Sequence, residues 1–173
     1  EILRSDWSSD VCSSDLTRLV DKAIADGMKG MAITDHGVMF GIKEFADYCA
    51  KVNKGRKEKG EEPFKPIFGC EMYVARRTMH DKDKSMHDNS GYHLIVLAKN
   101  YTGYKNLIKL VSNAWVDGYY YRPRTDREQL EKYHEGLIVC TACIAGEVPN
   151  KIIHDDIEGP PLYYGMLGYY IVV

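Results

Sequence analysis

No stretch of eighteen or more apolar residues occurs in this chain, so no segment reads as a membrane-spanning helix. No basic stretch followed by an apolar run opens it, and no export signal is legible. Charge of one sign is not in excess, since a formal net charge of -2 over 173 residues names no partner. Cysteine occurs five times, an odd number, at Cys12, Cys49, Cys70, Cys140 and Cys143, mostly within apolar stretches. That usage argues against a disulfide framework and for reduced thiols in the cytoplasm. The hydrophobic share of 45% and charged share of 28% are ordinary for a globular chain, long enough for one domain with a sizeable core and short for two.

The two ends differ from the interior. Residues 1–16 show neither helical nor strand periodicity, and their Ser/Asp tract with a repeated Ser-Ser-Asp has the composition of a segment that cannot bury a core. Asp6 to Leu16 also resembles the translation of a sequencing adapter read as coding DNA. Residues 1–16 are therefore expected to be non-native, with a natural disordered tail as the alternative. After Gly159, Pro160 and Pro161 end any helix, and Leu162–Val173 is an uncharged Tyr/Gly/Val-rich string. It reads as a final strand or as a frameshifted or chimeric tail. Residues 17–159 are then the domain, near neutral, with a basic cluster at Lys51, Lys54, Arg56, Lys57 and Lys59 that reads as a solvated face.

Within the interior, Leu19, Val20, Ala23 and Ile24 mark one helical face over Thr17–Asp26, with Gly27 as its stop. Met28–Thr34 reads as a strand, and Ile42, Phe45, Ala46, Cys49 and Val52 repeat at helical spacing in a helix ending near Asn53. Ile67–Val74, Leu94–Ala98 and Leu137–Thr141 are further apolar strands, and Arg76–Ser90 is a polar loop. Leu107, Ile108, Leu110, Val111 and Ala114 mark another helix, Asp126 caps a short one through Tyr133, and Ala145–Ile153 is helical. Helices alternating with short, uniformly apolar strands predict an α/β fold with a parallel sheet buried on both faces, a barrel or a doubly wound sheet.

Met31-Ala-Ile-Thr-Asp-His-Gly37 is the most telling stretch. An apolar run stops at Asp35 and His36, which is how a buried strand delivers metal-competent side chains to the end of a sheet. Divalent ions that activate water want imidazole nitrogens and carboxylate oxygens converging from several strands. Four residues meet that need: His36 after a strand, Glu71 interrupting one, His93 starting one and Cys143 following one. Each has a plainer reading. Asp-His at a strand end is also a capping and turn device, His93 a satisfied core histidine, and Cys143 a small buried hydrophobe, as Cys140 is. Glu71 between Ile67-Phe68 and Met72-Tyr73-Val74 is harder to dismiss, because a buried carboxylate needs a metal or an arginine. His80, His87 and His134 sit in charged surroundings and read as solvated surface. In Tyr119–Arg124 aromatics alternate with arginines, so Tyr121, Arg122 and Arg124 are candidates to stack on bases and contact phosphates, with a core-anchored surface loop as the alternative.

These pieces resemble a family. Ala32-Ile-Thr-Asp-His-Gly37 with Met39-Phe-Gly41, Pro66-Ile-Phe-Gly-Cys-Glu-Met-Tyr-Val74, His93-Leu-Ile-Val-Leu-Ala-Lys99, Thr102-Gly-Tyr-Lys-Asn-Leu107, Tyr121-Arg-Pro-Arg-Thr-Asp126, Glu135-Gly-Leu-Ile-Val139 and Ala145-Gly-Glu147 together resemble the PHP (polymerase and histidinol phosphatase) domain of bacterial DNA polymerase III alpha subunits. The Thr-Gly-Tyr and Arg-Pro-Arg blocks point to the polymerase branch. The resemblance implies a distorted (β/α)7 TIM-like barrel, here partial, lacking its first strand and C-terminal elements. It implies metal ligands at His36, Glu71 (bridging), His93 and Cys143, catalytic roles for Glu71 and Asp35 (the latter orienting), and divalent ions, Zn or Mn. It further implies a 3′→5′ exonuclease or phosphoesterase-type site in a DNA-directed DNA polymerase acting in DNA replication. DNA, a proofreading subunit and a sliding clamp would be the partners. The family's His-x-His-x-His-Thr strand has residues 1–16 in its place, and its last Asp-x-His motif is not found. This chain alone is therefore expected to be inactive and not to hold metal stably. The alternatives are a free-standing PHP phosphoesterase of the histidinol-phosphatase kind and a non-catalytic structural PHP module.

Overall fold

In the computed structural model, which describes residues 13–154, the chain divides into two units. The first holds residues 13–32 with Gly41–Pro66, and the second Ile33–Phe40 with the described residues from Ile67 onward. The segments 1–12 and 155–173, on which most of the expectations about the two ends fall, lie outside the described residues.

In the first unit, α1 (Ser13–Ala25) opens four residues before Thr17, inside the stretch set aside as non-native. The reason is Leu16, buried with Val20 and Ala23 on one helical face and so part of the apolar stripe. The helix stops at Gly27, whose φ of +75° lets the Gly27 and Met28 N–H groups turn back to Ile24 O and Ala23 O. Strand β1 (Gly30–Ile33) follows, then α2 (Ile42–Glu58) with Ile42, Phe45 and Cys49 buried. Helix α2 outruns the expected end at Asn53 by more than a turn. Its last turns carry the basic cluster, and lysine and arginine are good helix formers favoured near the negative end of the helix dipole. Asn53 meanwhile pins the returning chain, exchanging two hydrogen bonds with the Phe64 backbone at 2.7 and 2.8 Å.

The second unit is built on β2 (Lys65–Ala75, entering from the first unit), β3 (Gly91–Ala98), β4 (Arg124–Thr125) and β5 (Leu137–Cys140). Strand β3 runs antiparallel to both β2 and β5, whereas β4 lies parallel to β2. The sheet is therefore mixed, not the all-parallel one expected. The physical reason is in the 76–90 connection, which holds only a 3₁₀ turn (Lys84–Met86); without a crossover helix the chain returns beside β2 in the opposite direction.

Burial alternates along β3 and β5, whereas the end of β2, from Met72 to Ala75, is buried throughout. Cys70, Met72 and Val74 of β2, Leu94 and Val96 of β3, and Leu137 and Val139 of β5 form the core with Leu107 and Leu110 of α3 (Tyr101–Val116) and Leu130 of α4 (Arg127–Lys132). Each fully buried leucine contributes roughly 1.5–3 kcal/mol relative to exposure. Helix α3 approaches the β5 turn closely: a Cβ on Gly103 would stand 1.8 Å from Gly136 O, so only glycine fits. Helix α5 (Glu147–Ile153) closes the described fold, its buried Glu147 paired with Arg127. Because side chains alternate across a strand, the odd-numbered residues Glu71, Tyr73 and His93 stand on the face of the sheet opposite to this core.

Candidate metal centre

Three elements of the second unit deliver the cluster. Beyond β1 the chain runs beside β2, where Glu71 N–H donates to Asp35 O and Gly37 N–H donates to Glu71 O, both at 2.9 Å, so that His36 and Glu71 form a parallel bridge. Gly37 turns the chain away with a φ of +69°. Trp115 Nε1–H donates to Gly37 O at 2.7 Å and fixes the turn from α3. His93 comes from β3, directly opposite Tyr73 and diagonal to Glu71 in the antiparallel register. Cys143 comes from the turn after β5, where Gly146 N–H donates to Cys143 O and His93 N–H to Ala145 O.

The side chains converge. His36 Nε2 is 3.3 Å from Glu71 Oε2, and His93 Nδ1 is 2.7 Å from Glu71 Oε1. One donor atom from each of the three residues lies within 4.8 Å of the others, and Cys143 Sγ is 3.5 Å from His93 Nδ1. Each carboxylate oxygen thus faces a different imidazole. Glu71 and His93 are half-buried, whereas His36 and Cys143 open to solvent. The donor types suit a divalent ion: two donors bound at about 2.1 Å in tetrahedral geometry stand roughly 3.4 Å apart, close to the His36–Glu71 separation, whereas His93 and Glu71 are hydrogen-bonded directly to each other.

Asp35 contributes its carbonyl to the frame, accepting from Glu71 N–H and from the Cys70 thiol at 3.3 Å. Burial pushes the Cys70 thiol up to about 12, and its side chain lies with Met72 and Val74 in the core on the face of β2 opposite to Glu71, which keeps it out of the cluster. His80, His87 and His134 are exposed, in keeping with a solvated surface.

The Tyr-Arg-Pro-Arg segment splits into unlike parts. Tyr121 and Arg122 are exposed, whereas Arg124 is fully buried. Its guanidinium donates to Gly118 O, Asp88 O, Met79 O and Asp81 O at 2.8–3.2 Å. Arg124 therefore cannot meet a phosphate, and its place among the nucleic-acid contacts is corrected: an arginine that satisfies four carbonyls inside the protein is an anchor. Tyr73 is the residue that sequence reasoning passed over. Its ring lies edge-on to His93 at 5.1 Å and 6.5 Å from the His36 ring. The signal was available, since Tyr73 stands two residues after Glu71 in a strand and so on the same face.

This mixed α/β unit with a His/Glu cluster behind its sheet belongs to a known class. The PHP domain family model matches residues 3–168, and the chain belongs to that family. Its relatives are larger proteins. DNA polymerase III subunit alpha of Treponema pallidum is 44% identical over 141 residues, covering 82% of this chain and 11% of that protein. The subunit of the same name from Borreliella burgdorferi is 40% identical over 156 residues, covering 90% and 13% respectively. That from Thermus aquaticus is 39% identical over 129 residues, covering 74% and 10%. The chain thus spans about a tenth of the length of the curated relatives it matches. Among the described residues no helix is long and apolar enough to cross a membrane.

Proposed function

We propose that this chain is the PHP region of a replicative DNA polymerase alpha subunit and carries a metal-dependent phosphoesterase site, a 3′→5′ exonuclease acting on DNA in the cytoplasm. The observation that carries the reading is the convergence of His36, Glu71 and His93, with Cys143 at their edge, on one face of the sheet. His36, Glu71 and His93 would hold a divalent ion, zinc or manganese, which would lower the pKa of a bound water toward hydroxide and offset charge on the phosphate oxygens. His36 and His93 offer ring nitrogens, and Glu71 turns one oxygen to each, which suits a bridging carboxylate. Asp35 holds the His36 backbone against β2 and acts as an orienting residue. The half-buried position of Glu71 and His93 keeps their donors apart from bulk water while His36 leaves a side open for substrate. The distorted (β/α)7 barrel of the family, here partial, is the architecture we assign. Polymerisation, the proofreading subunit and the clamp belong to the remainder of a protein of the relatives' length.

The test has two levels. Titration of the chain with Mn²⁺ or Zn²⁺ is expected to show weak binding, because few donors are contributed by the described residues. Glu71→Gln should weaken it a further 10- to 100-fold. In a full-length alpha subunit carrying this region, Mn²⁺-dependent removal of a mismatched 3′ nucleotide should be lost with Glu71→Ala. No such activity in the unaltered subunit would leave a non-catalytic brace, and full activity without any polymerase region would favour a free-standing phosphoesterase.

A further inference from the structure

Arg122 is exposed on the loop between α3 and β4, and among the described residues its guanidinium has no carboxylate partner. Arg77 and Arg127, by contrast, are each spent on an acid. What holds Arg122 instead is Tyr73. Nη1–H donates to the Tyr73 hydroxyl at 2.8 Å, and the guanidinium carbon stands 4.9 Å from the centre of its ring. That same ring packs edge-on against His93 and faces His36. A single aromatic ring therefore separates the guanidinium from both imidazoles of the metal cluster.

The placement is enforced from behind. Strand β4 lies parallel to β2 with Arg124 paired to Tyr73. Pro123 covers the Asp-His-Gly turn so closely that a Cβ on Gly37 would stand 2.7 Å from Pro123 Cγ. The four carbonyl bonds of Arg124 lock the strand end, and Tyr121, with a φ of +60°, sits in the left-handed region between these anchors. An unpaired, pre-organised guanidinium with one donor used and a planar fork remaining is suited to two oxygens of a phosphate.

We propose that Arg122 is the phosphate-recognising residue of the metal cluster, taking the terminal internucleotide phosphate of a DNA strand at its rim. The proposal deepens, and rests on, the reading of the cluster as a phosphoesterase site. Tyr73 serves as the shelf that aims the guanidinium. The Arg-x-Arg pair thus divides its labour, with Arg124 building the loop and Arg122 meeting the substrate.

Calorimetric titration of the chain, Arg122→Gln and Arg122→Lys with a short single-stranded oligodeoxythymidylate, with dTMP and with Mn²⁺ alone tests this. The nucleotide titrations are run both in EDTA and with Mn²⁺. Arg122→Gln should weaken oligonucleotide binding about tenfold or more, Arg122→Lys should recover part of the loss, and Mn²⁺ affinity should stay within about twofold. Oligonucleotide binding that is absent from the unaltered chain, or unchanged in Arg122→Gln, overturns the proposal; a loss confined to dTMP overturns the choice of DNA over a free phosphomonoester. An equal loss of Mn²⁺ affinity also overturns it, because Arg122 would then be bracing the histidines. If Mn²⁺ binding is undetectable while the Arg122 dependence persists in EDTA, the phosphate contact stands by itself, and the metal reading is decided by the Glu71→Ala test in the full-length subunit.

Discussion

Arg124 shows how much one side chain can organise. Its guanidinium is removed from water, which lowers its pKa from the ordinary value while Asp88 and Asp81 pull it back, and it is satisfied by carbonyls from three stretches of chain. Arg124→Met should leave those carbonyls without donors, and each buried unsatisfied group costs roughly 1–3 kcal/mol. A loss of at least about 3 kcal/mol, measured by urea unfolding, is the expected outcome; a loss within about 0.5 kcal/mol would mean the loop closes without it. Burial is what separates this residue from Arg122, two positions earlier in the same motif. Spacing alone presents both as surface cations, since nothing in Tyr-Arg-Pro-Arg says which arginine turns inward.

At the scale of elements, the local signals were largely sufficient. Asp126 caps α4 by accepting from Gln129 N–H at 3.0 Å, and Gly27 ends α1, as their residue types dictate. Helix α3 adds a cap of the same kind, Asn100 Oδ1 accepting from Gly103 N–H at 2.9 Å. Asn100→Ala should cost about 1 kcal/mol, seen as a lowered urea midpoint with an unchanged slope. Strand direction was not legible in the same way. An apolar run reports burial, but whether the chain returns parallel or antiparallel depends on what the connection does in space, and β2 to β3 returns through loop and 3₁₀ turn where a crossover was expected. Strand β4 is two residues long and exists only because Arg124 and Thr125 pair with Tyr73 and Val74, too short to leave a periodic trace.

For the molecule as a whole, acid is the informative perturbation. The charged hydrogen bonds from Arg77 hold the Asp88 carboxyl down to about 2, and Asp81 and Asp83 are lowered by hydrogen bonds from Thr78 and Ser85. A carboxyl whose folded pKa lies below its unfolded value of 3.8 stabilises the fold above that value, and the contribution is lost as pH falls toward about 2. Unfolding free energy should therefore drop between about pH 4 and pH 2, and Arg77→Gln should flatten that slope; parallel curves for the two chains would sink the assignment. Residue chemistry by itself determined which side chains are able to hold a metal, where most of the helices and the longer strands lie, and which family the motifs resemble, because periodicity, capping and ligand type are local properties. Only the tertiary structure decided that the sheet is mixed, that Tyr73 stands between the histidines and Arg122, and that Arg124 faces inward. Those depend on register and on which buried polar atoms need a partner, and both are set by contacts between residues far apart in the chain.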